Sequence, residues 1–234
     1  MHGAATNLVK DLFEDPRSGS VERTKTFAHN MVDYVLKDTK AAESLINIAV
    51  YEYYTYTHSV NMAAVGTLFG QDLGLGVADL KGLCAGILLH DVGKTRISTD
   101  ILNKKGKLTK EEFEEVKKHP EMGVEILKET GNGFTDEYLI TLQHHENYDG
   151  TGYPRGLKGD EILRCGKVAR IIDVYDALTT DRPYAKAIRP FAALKEMKEK
   201  MSNCFDKELF KEFILFSGPY DPRAMPRNDD NLQI

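Results

Sequence analysis

Apolar residues recur along this chain at helical spacing, and no run alternates in the way that makes a strand. Between Val21 and Asp38, the residues Phe27, Met31, Tyr34 and Val35 share a face and predict a helix. A second helix is expected from Ala41 towards Tyr53. A third carries His58, Met62, Val65 and Phe69 at steps of 4, 3 and 4. Asp79 to His90 is apolar on nearly every side, which predicts a buried helix that stops near Gly93. Thr109-Lys110-Glu111-Glu112 is a capping-box pattern, opening a helix expected to end near His119, because a residue before proline avoids helical backbone. Pro120 can begin the next helix, through Leu127, which Gly131 and Gly133 terminate. Another is expected from Asp136 to about His145. Asp149 to Gly159 holds four glycines and one proline and cannot be regular helix. Helices resume over Lys167 to Thr180, Phe191 to Lys200 and Asp206 to Leu215. The fold class is therefore read as all-α. A bundle of packed helices is expected over residues 51–220, with a smaller N-terminal helical portion over 1–50 and a loose polar tail over 221–234.

At 234 residues the chain can bury a substantial core, and 41% hydrophobic with 29% charged residues is ordinary for a globular protein. Basic residues number 31 and acidic ones 36, a formal charge of −5 that opposes anionic ligands on average. Any phosphate must be drawn by local cations or bound metal. Broad binding to nucleic acid polymers is excluded on the same ground, since that needs a basic face. Cys84, Cys165 and Cys204 are an odd, widely spaced set that fits reduced thiols in the cytoplasm. The opening MHGAATNLVKDLFEDP has no apolar core for a secretory leader. No run reaches the ~18–20 apolar residues that a membrane helix needs. A cytoplasmic protein away from the membrane is expected.

Candidate chemistry sits in the histidines. Of seven, His58, His90, His119, His144 and His145 fall in suggestive places. His90 and Asp91 end the most apolar helix, where a charged pair is unfavourable unless something compensates it, and a metal ion is a common compensator. His58 shares a face with Met62, Val65 and Phe69 and so points inward. Asp173 and Asp176 lie three apart on a helix, beside Ala169 and Ala177, whose small side chains leave room for an ion or ligand. Imidazole and carboxylate together suit zinc, iron or manganese, and the lack of a nearby cysteine argues against a thiolate zinc site. Each residue also has an ordinary reading. A lone inward histidine is usually hydrogen-bonded in a core, His119 suits a helix C-terminus, and neighbours such as His144 and His145 diverge by ~100° on a helix.

These residues resemble a known family. His90-Asp91-Val92-Gly93-Lys94 is similar to the HD motif of the HD phosphohydrolase superfamily, and HHENYDGTGYPRGLKGDEI, from His144 to Ile162, resembles the signature of its HD-GYP branch. HSVNMA at His58, LTKEEFEEVKKHPEMG around His119 and ARIIDVYDALTTDRPY from Ala169 to Tyr184 agree in order, over about Tyr51 to Ile188. The resemblance implies an HD-domain helical bundle with a glycine-rich GYP loop and two divalent metal ions, iron or manganese. His58, His90, Asp91 and Asp173 would hold one. Asp91 would bridge to a second, completed by His119, His144 and His145. Lys94 and Asp91 are the implied catalytic pair, while Tyr153, Asp176, Arg182 and Lys186 would meet substrate. The implied reaction is hydrolysis of cyclic di-GMP, or a related cyclic dinucleotide, to linear pGpG or GMP by a hydroxide shared between the metals. Some members add a glutamate four residues before the first histidine to hold a third metal. Here that position is Tyr54, with Glu52 two residues earlier, so two metals are expected.

Two rival readings follow from the same residues. One is an HD phosphohydrolase for another nucleotide. The other is a catalytically weak module that senses a cyclic dinucleotide or docks onto a signalling partner such as a diguanylate cyclase. The N-terminal helices are available to pack against a second copy in a homodimer.

Overall fold

The structure, a computed structural model, describes residues 2–37, 55–130, 136–181 and 186–217. Its helices are α1 (His2–Glu14), α2 (Val21–Lys37), α3 (Thr55–Asp72), α4 (Val77–Leu89), α5 (Thr99–Leu102), α6 (Lys110–Val116), α7 (His119–Glu129), α8 (Asp136–Gln143), α9 (Arg164–Thr179), α10 (Pro190–Lys200) and α11 (Lys207–Phe216). Among the described residues there is no sheet, and one isolated bridge pairs Asp149 with Lys158. The all-α expectation holds. No described helix is long and apolar enough to cross a membrane.

Helix α4 is the hub. Leu80, Leu83, Cys84, Ala85, Ile87, Leu88 and Leu89 are all buried, and α2, α3 and α8 pack around them. That matches a sequence apolar on nearly every side. Each of the leucines and Ile87 contributes about 1.5–3 kcal/mol by leaving water. Truncation of Ile87 to alanine would cost about 2–5 kcal/mol, because tight surroundings cannot close the hole. The N-terminal helices share this core. Val9 of α1 and Ala28, Met31 and Val32 of α2 are buried with Phe69, Ile87 and Ile172. A second apolar cluster, with Leu89, Val92, Val124, Leu127, Tyr138 and Leu142, ties α4 to α7 and α8.

Several boundaries differ from expectation for local reasons. The Thr109 capping box is present, but α6 ends at Val116, and His119 begins α7 instead of closing α6. Pro120, which lacks an N–H, is accommodated in the first turn of α7, where that donor would be unpaired anyway. Helix α8 stops at Gln143, so His144 and His145 lie just beyond it. Ser98 accepts a hydrogen bond from Asp100 N and caps the short α5. The helix expected from Ala41, the stop at Gly131 and Gly133 and the polar tail lie outside the described residues.

Candidate metal centre

Five elements deliver the candidate residues to one place. His58 comes from α3, His90 and Asp91 from the end of α4, His119 from the first turn of α7, His144 and His145 from the end of α8, and Asp173 from α9. Lys94 lies in the 3-10 turn Val92–Arg96 that follows Asp91. Two glycines let α7 come close enough. A Cβ on Gly93 would stand 1.9 Å from the His119 carbonyl oxygen, and one on Gly123 only 2.7 Å from Thr141 Cγ2. Backbone therefore packs directly on backbone here, and His119 reaches Asp91.

Three rings are oriented from behind by main-chain carbonyls. His90 Nδ1 donates to Ile87 O at 2.6 Å, His119 Nδ1 to Val116 O at 2.7 Å, and His144 Nδ1 to Thr141 O at 2.9 Å. A carbonyl only accepts, so each Nδ1 carries a proton, and each ring turns its Nε2 inward. His119 Nε2 and His144 Nε2 meet at 3.2 Å, with Asp91 Oδ1 at 3.3 Å from the first and 3.7 Å from the second. Asp91 Oδ1 is buried and accepts no hydrogen bond. Its other oxygen, Oδ2, lies 3.3 Å from His90 Nε2 and 2.5 Å from Lys94 Nζ. A buried carboxylate oxygen without a hydrogen bond thus faces two imidazole nitrogens, an arrangement that a cation among them would satisfy.

The charge balance points the same way. Burial, with His145, His90 and His119 nearby, pushes His144 well below the usual histidine range, so it stays neutral. Burial does the same to His145, against the opposing pull of Asp173. Burial works against charge on Asp91, but His90 and Lys94 hold its carboxyl well below the usual carboxylate range. Asp173 is likewise held low, against its burial, by hydrogen bonding from His58. His58 is the exception among the rings. Burial would lower it, but Asp176 and Asp173 together push it up to about 9.

The donor set fits metal. Asp91, His119, His144 and His145 form one group whose ligand atoms lie within 4.8 Å of one another, and His58, His90 and Asp173 form another. Asp91 spans them, one oxygen toward each. His145 Nδ1 lies 3.6 Å from Asp173 Oδ2, which closes the ring of residues. The adjacent pair His144 and His145 converges, ring centroids 4.1 Å apart, because the helix has already ended.

Some residues that spacing did not reveal organise the surroundings. Glu146 is buried, and its carboxylate accepts from Arg155 N at 2.8 Å and Leu157 N at 2.9 Å, which pins the glycine-rich loop. A Cβ on Gly152 would stand 2.2 Å from Asn147 N, so the loop can fold back on itself only through glycine. Tyr153 consequently stacks on His145, centroids 4.6 Å apart. Arg170 donates from Nε to Asn147 Oδ1 at 2.9 Å and brings Nη1 to 3.7 Å from Asp173 Oδ2, linking loop and cluster. The signals were present in the HHE triplet and in the ARIID stretch, but nothing local identified their partners.

Two expected substrate contacts, Asp176 and Lys186, have other partners in the structure. Asp176 is buried beside His58, 2.5 Å from Nδ1, where it orients that ring. Carboxylates in this position behind a ligating histidine make it a stronger donor. Lys186 is 91% exposed in its side chain and pairs with Asp181 at 3.3 Å. Arg182 lies outside the described residues, as do Glu52 and Tyr54.

A cyclic di-GMP phosphodiesterase, PA4108 of Pseudomonas aeruginosa, is 35% identical over 95% of this chain and 54% of its own length. The response regulator RpfG of Xanthomonas campestris, also named a cyclic di-GMP phosphodiesterase, is 39% identical over 62% of this chain and 39% of its own. A 3'3'-cGAMP-specific phosphodiesterase of Vibrio cholerae is 38% identical over 67% of this chain and 34% of its own. The chain thus spans about half or less of the length of these relatives. Among solved structures, Bd1817, an HDG"Y"P protein of Bdellovibrio bacteriovorus, shares the fold with a TM-score of 0.74 over 92% of this chain and 70% of its own, at 21% identity. The HD domain family model matches residues 29–209, and this chain belongs to the HD domain family.

Proposed function

We propose that this chain is a metal-dependent phosphodiesterase that hydrolyses cyclic di-GMP or a related cyclic dinucleotide to linear pGpG or GMP. One observation carries the reading: Asp91 lies between two groups of imidazoles and carboxylates, its Oδ1 3.3 Å from His119 Nε2 and its Oδ2 3.3 Å from His90 Nε2, and Lys94 is held on that same carboxylate. The names of the Pseudomonas, Xanthomonas and Vibrio relatives support the substrate class.

In this reading His58, His90, Asp91 and Asp173 hold one divalent ion and Asp91, His119, His144 and His145 hold another, iron or manganese. Such ions, when bound, supply Lewis acidity toward a phosphodiester and make water acidic enough to attack near neutral pH. The chain does the rest. Asp176 fixes His58, and the carbonyls of Ile87, Val116 and Thr141 fix His90, His119 and His144, so the donors need no rearrangement. Lys94 remains partly exposed, with its ammonium beside Asp91, and donates to a non-bridging phosphate oxygen as charge grows there. Arg182 clamps a second oxygen. Tyr153, stacked on His145, keeps bulk water from that ligand. The protein works in the cytoplasm, where its three free thiols stay reduced.

The experiment is chromatographic separation of products from cyclic di-GMP, mixed cyclic dinucleotides and nucleoside mono- and triphosphates incubated with metal-loaded protein. Cleavage of a cyclic dinucleotide alone supports the reading. Turnover of the monophosphate or triphosphate alone would replace it with a nucleotide phosphohydrolase.

A further inference from the structure

Phe113 lies on α6, between the Thr109 cap and the turn before His119, and it is 44% exposed. An exposed phenylalanine alone carries no message. This one has a particular neighbour. Its ring meets Tyr153 edge-on, with centroids 6.3 Å apart and planes at 79°. Tyr153 in turn lies 4.6 Å from His145, nearly parallel, and 6.3 Å from His119. The three rings form a stair that starts on a residue of the metal-type cluster and ends at solvent. Lys117 Nζ sits 5.0 Å over the Phe113 ring while paired with Glu114 at 2.7 Å, which fixes the outer step. The capping box and the Lys104–Glu112 ion pair at 2.6 Å hold the short helix that carries it.

We propose that Phe113 is a substrate-positioning residue whose exposed ring stacks against a purine base of the dinucleotide while the scissile phosphate lies at the His/Asp cluster. The inference rests on the phosphodiesterase reading for the identity of the ligand, and adds where its base is held. The chemistry suits the site. A chain of net charge −5 gains little attraction for a dianion at long range, so affinity must come from close contacts. An aromatic face supplies one without regard to which base is present, because every base has a π-face. Phe113 therefore contributes affinity and leaves the choice between guanine and adenine to other residues.

The test is calorimetric binding of GMP, which carries the base and is not turned over as a diester, to the full metal-loaded chain. Phe113→Ala and Phe113→Leu are each expected to weaken GMP about tenfold, the scale of one lost base stack, while Phe113→Trp binds at least as well as wild type. Metal content should stay the same in all three, since this ring touches no candidate ligand. KM for cyclic di-GMP and for a mixed guanine–adenine cyclic dinucleotide should rise together by that factor, with kcat within about twofold. Unchanged GMP affinity in Phe113→Ala would overturn the proposal and leave the phosphodiesterase reading intact. Wild-type affinity in Phe113→Leu, or a KM change for one dinucleotide alone, would also overturn stacking. If wild type and Phe113→Ala differ in GMP binding but neither cleaves a cyclic dinucleotide, the base site stands and the phosphodiesterase reading falls.

Discussion

His119 and His144 face each other nitrogen to nitrogen, Nε2 to Nε2 at 3.2 Å, with both Nδ1 atoms committed to main-chain carbonyls. Asp91 Oδ1, which accepts no hydrogen bond, completes the group. A cation among these atoms would satisfy the buried Asp91 oxygen, and loading the site should stabilise the whole domain. Removing metal with a chelator is expected to lower Tm by several degrees, and readdition of a divalent ion should restore it. A chelator-insensitive melting curve would mean that the cluster is satisfied without metal.

Asp91 lies between the two groups, so its loss should not be partial. Asp91→Ala is expected to abolish metal binding and turnover together, whereas Lys94→Ala should keep the metal and lower kcat about 10²–10³-fold, the scale of one lost electrostatic contact in a transition state. Elemental analysis beside initial rates separates the two variants. Near-normal activity in Asp91→Ala would refute the proposed site.

Proton linkage supplies a third outcome. His58 has its pKa raised from 6.5 to about 9, so at neutral pH the metal-free protein carries a proton there that the unfolded chain mostly lacks. This contribution to the stability of the metal-free fold is complete below 6.5 and is lost as pH rises through about 9. A metal needs the neutral ring, so uptake must expel that proton, and affinity should increase with pH across the same window. Metal titrations at neutral pH in two buffers of different ionisation enthalpy should reveal a proton released. Heats that are the same in both buffers would contradict this account of His58.

Glu146 is expected to matter for the loop and not for the metal. Glu146→Ala would remove the acceptor of the Arg155 and Leu157 amides, at a cost of about 1 kcal/mol for each partly buried hydrogen bond. Denaturant unfolding should register that loss, and KM should rise while metal content is unchanged. If metal falls with KM, the loop and the cluster are one unit.

Gly93→Ala tests the close approach that brings His119 to Asp91. Its new Cβ would collide with the His119 carbonyl, for which there is no room at 1.9 Å, so α7 must move. Destabilisation of about 1–3 kcal/mol or more is expected, along with weaker metal binding. A variant with wild-type Tm and metal content would show that α7 yields more easily than the packing implies.

Much of this was legible in the sequence because the signals were local. The Thr109 box, the inward face of His58 and the all-round apolar α4 each declare themselves within a few residues. The grouping of the ligands was available through resemblance, since spacing alone left an ordinary role open for every histidine. What escaped was long-range or depended on where a helix stops. Asp176 was expected at the substrate, yet it serves His58, 118 residues away in sequence, and no periodicity encodes that pairing. His144 and His145 would diverge on a continuous helix and converge only because α8 ends at Gln143. Glu146 and Arg170 read as ordinary charges until the loop amides and Asn147 stand beside them.

The most direct test of the central claim is the metal content of anaerobically purified protein, measured by elemental analysis and repeated on Asp91→Ala. About two divalent ions per wild-type chain are expected, as two cations sharing one carboxylate require, and almost none in the variant. A wild-type chain that binds no metal under these conditions would contradict the account.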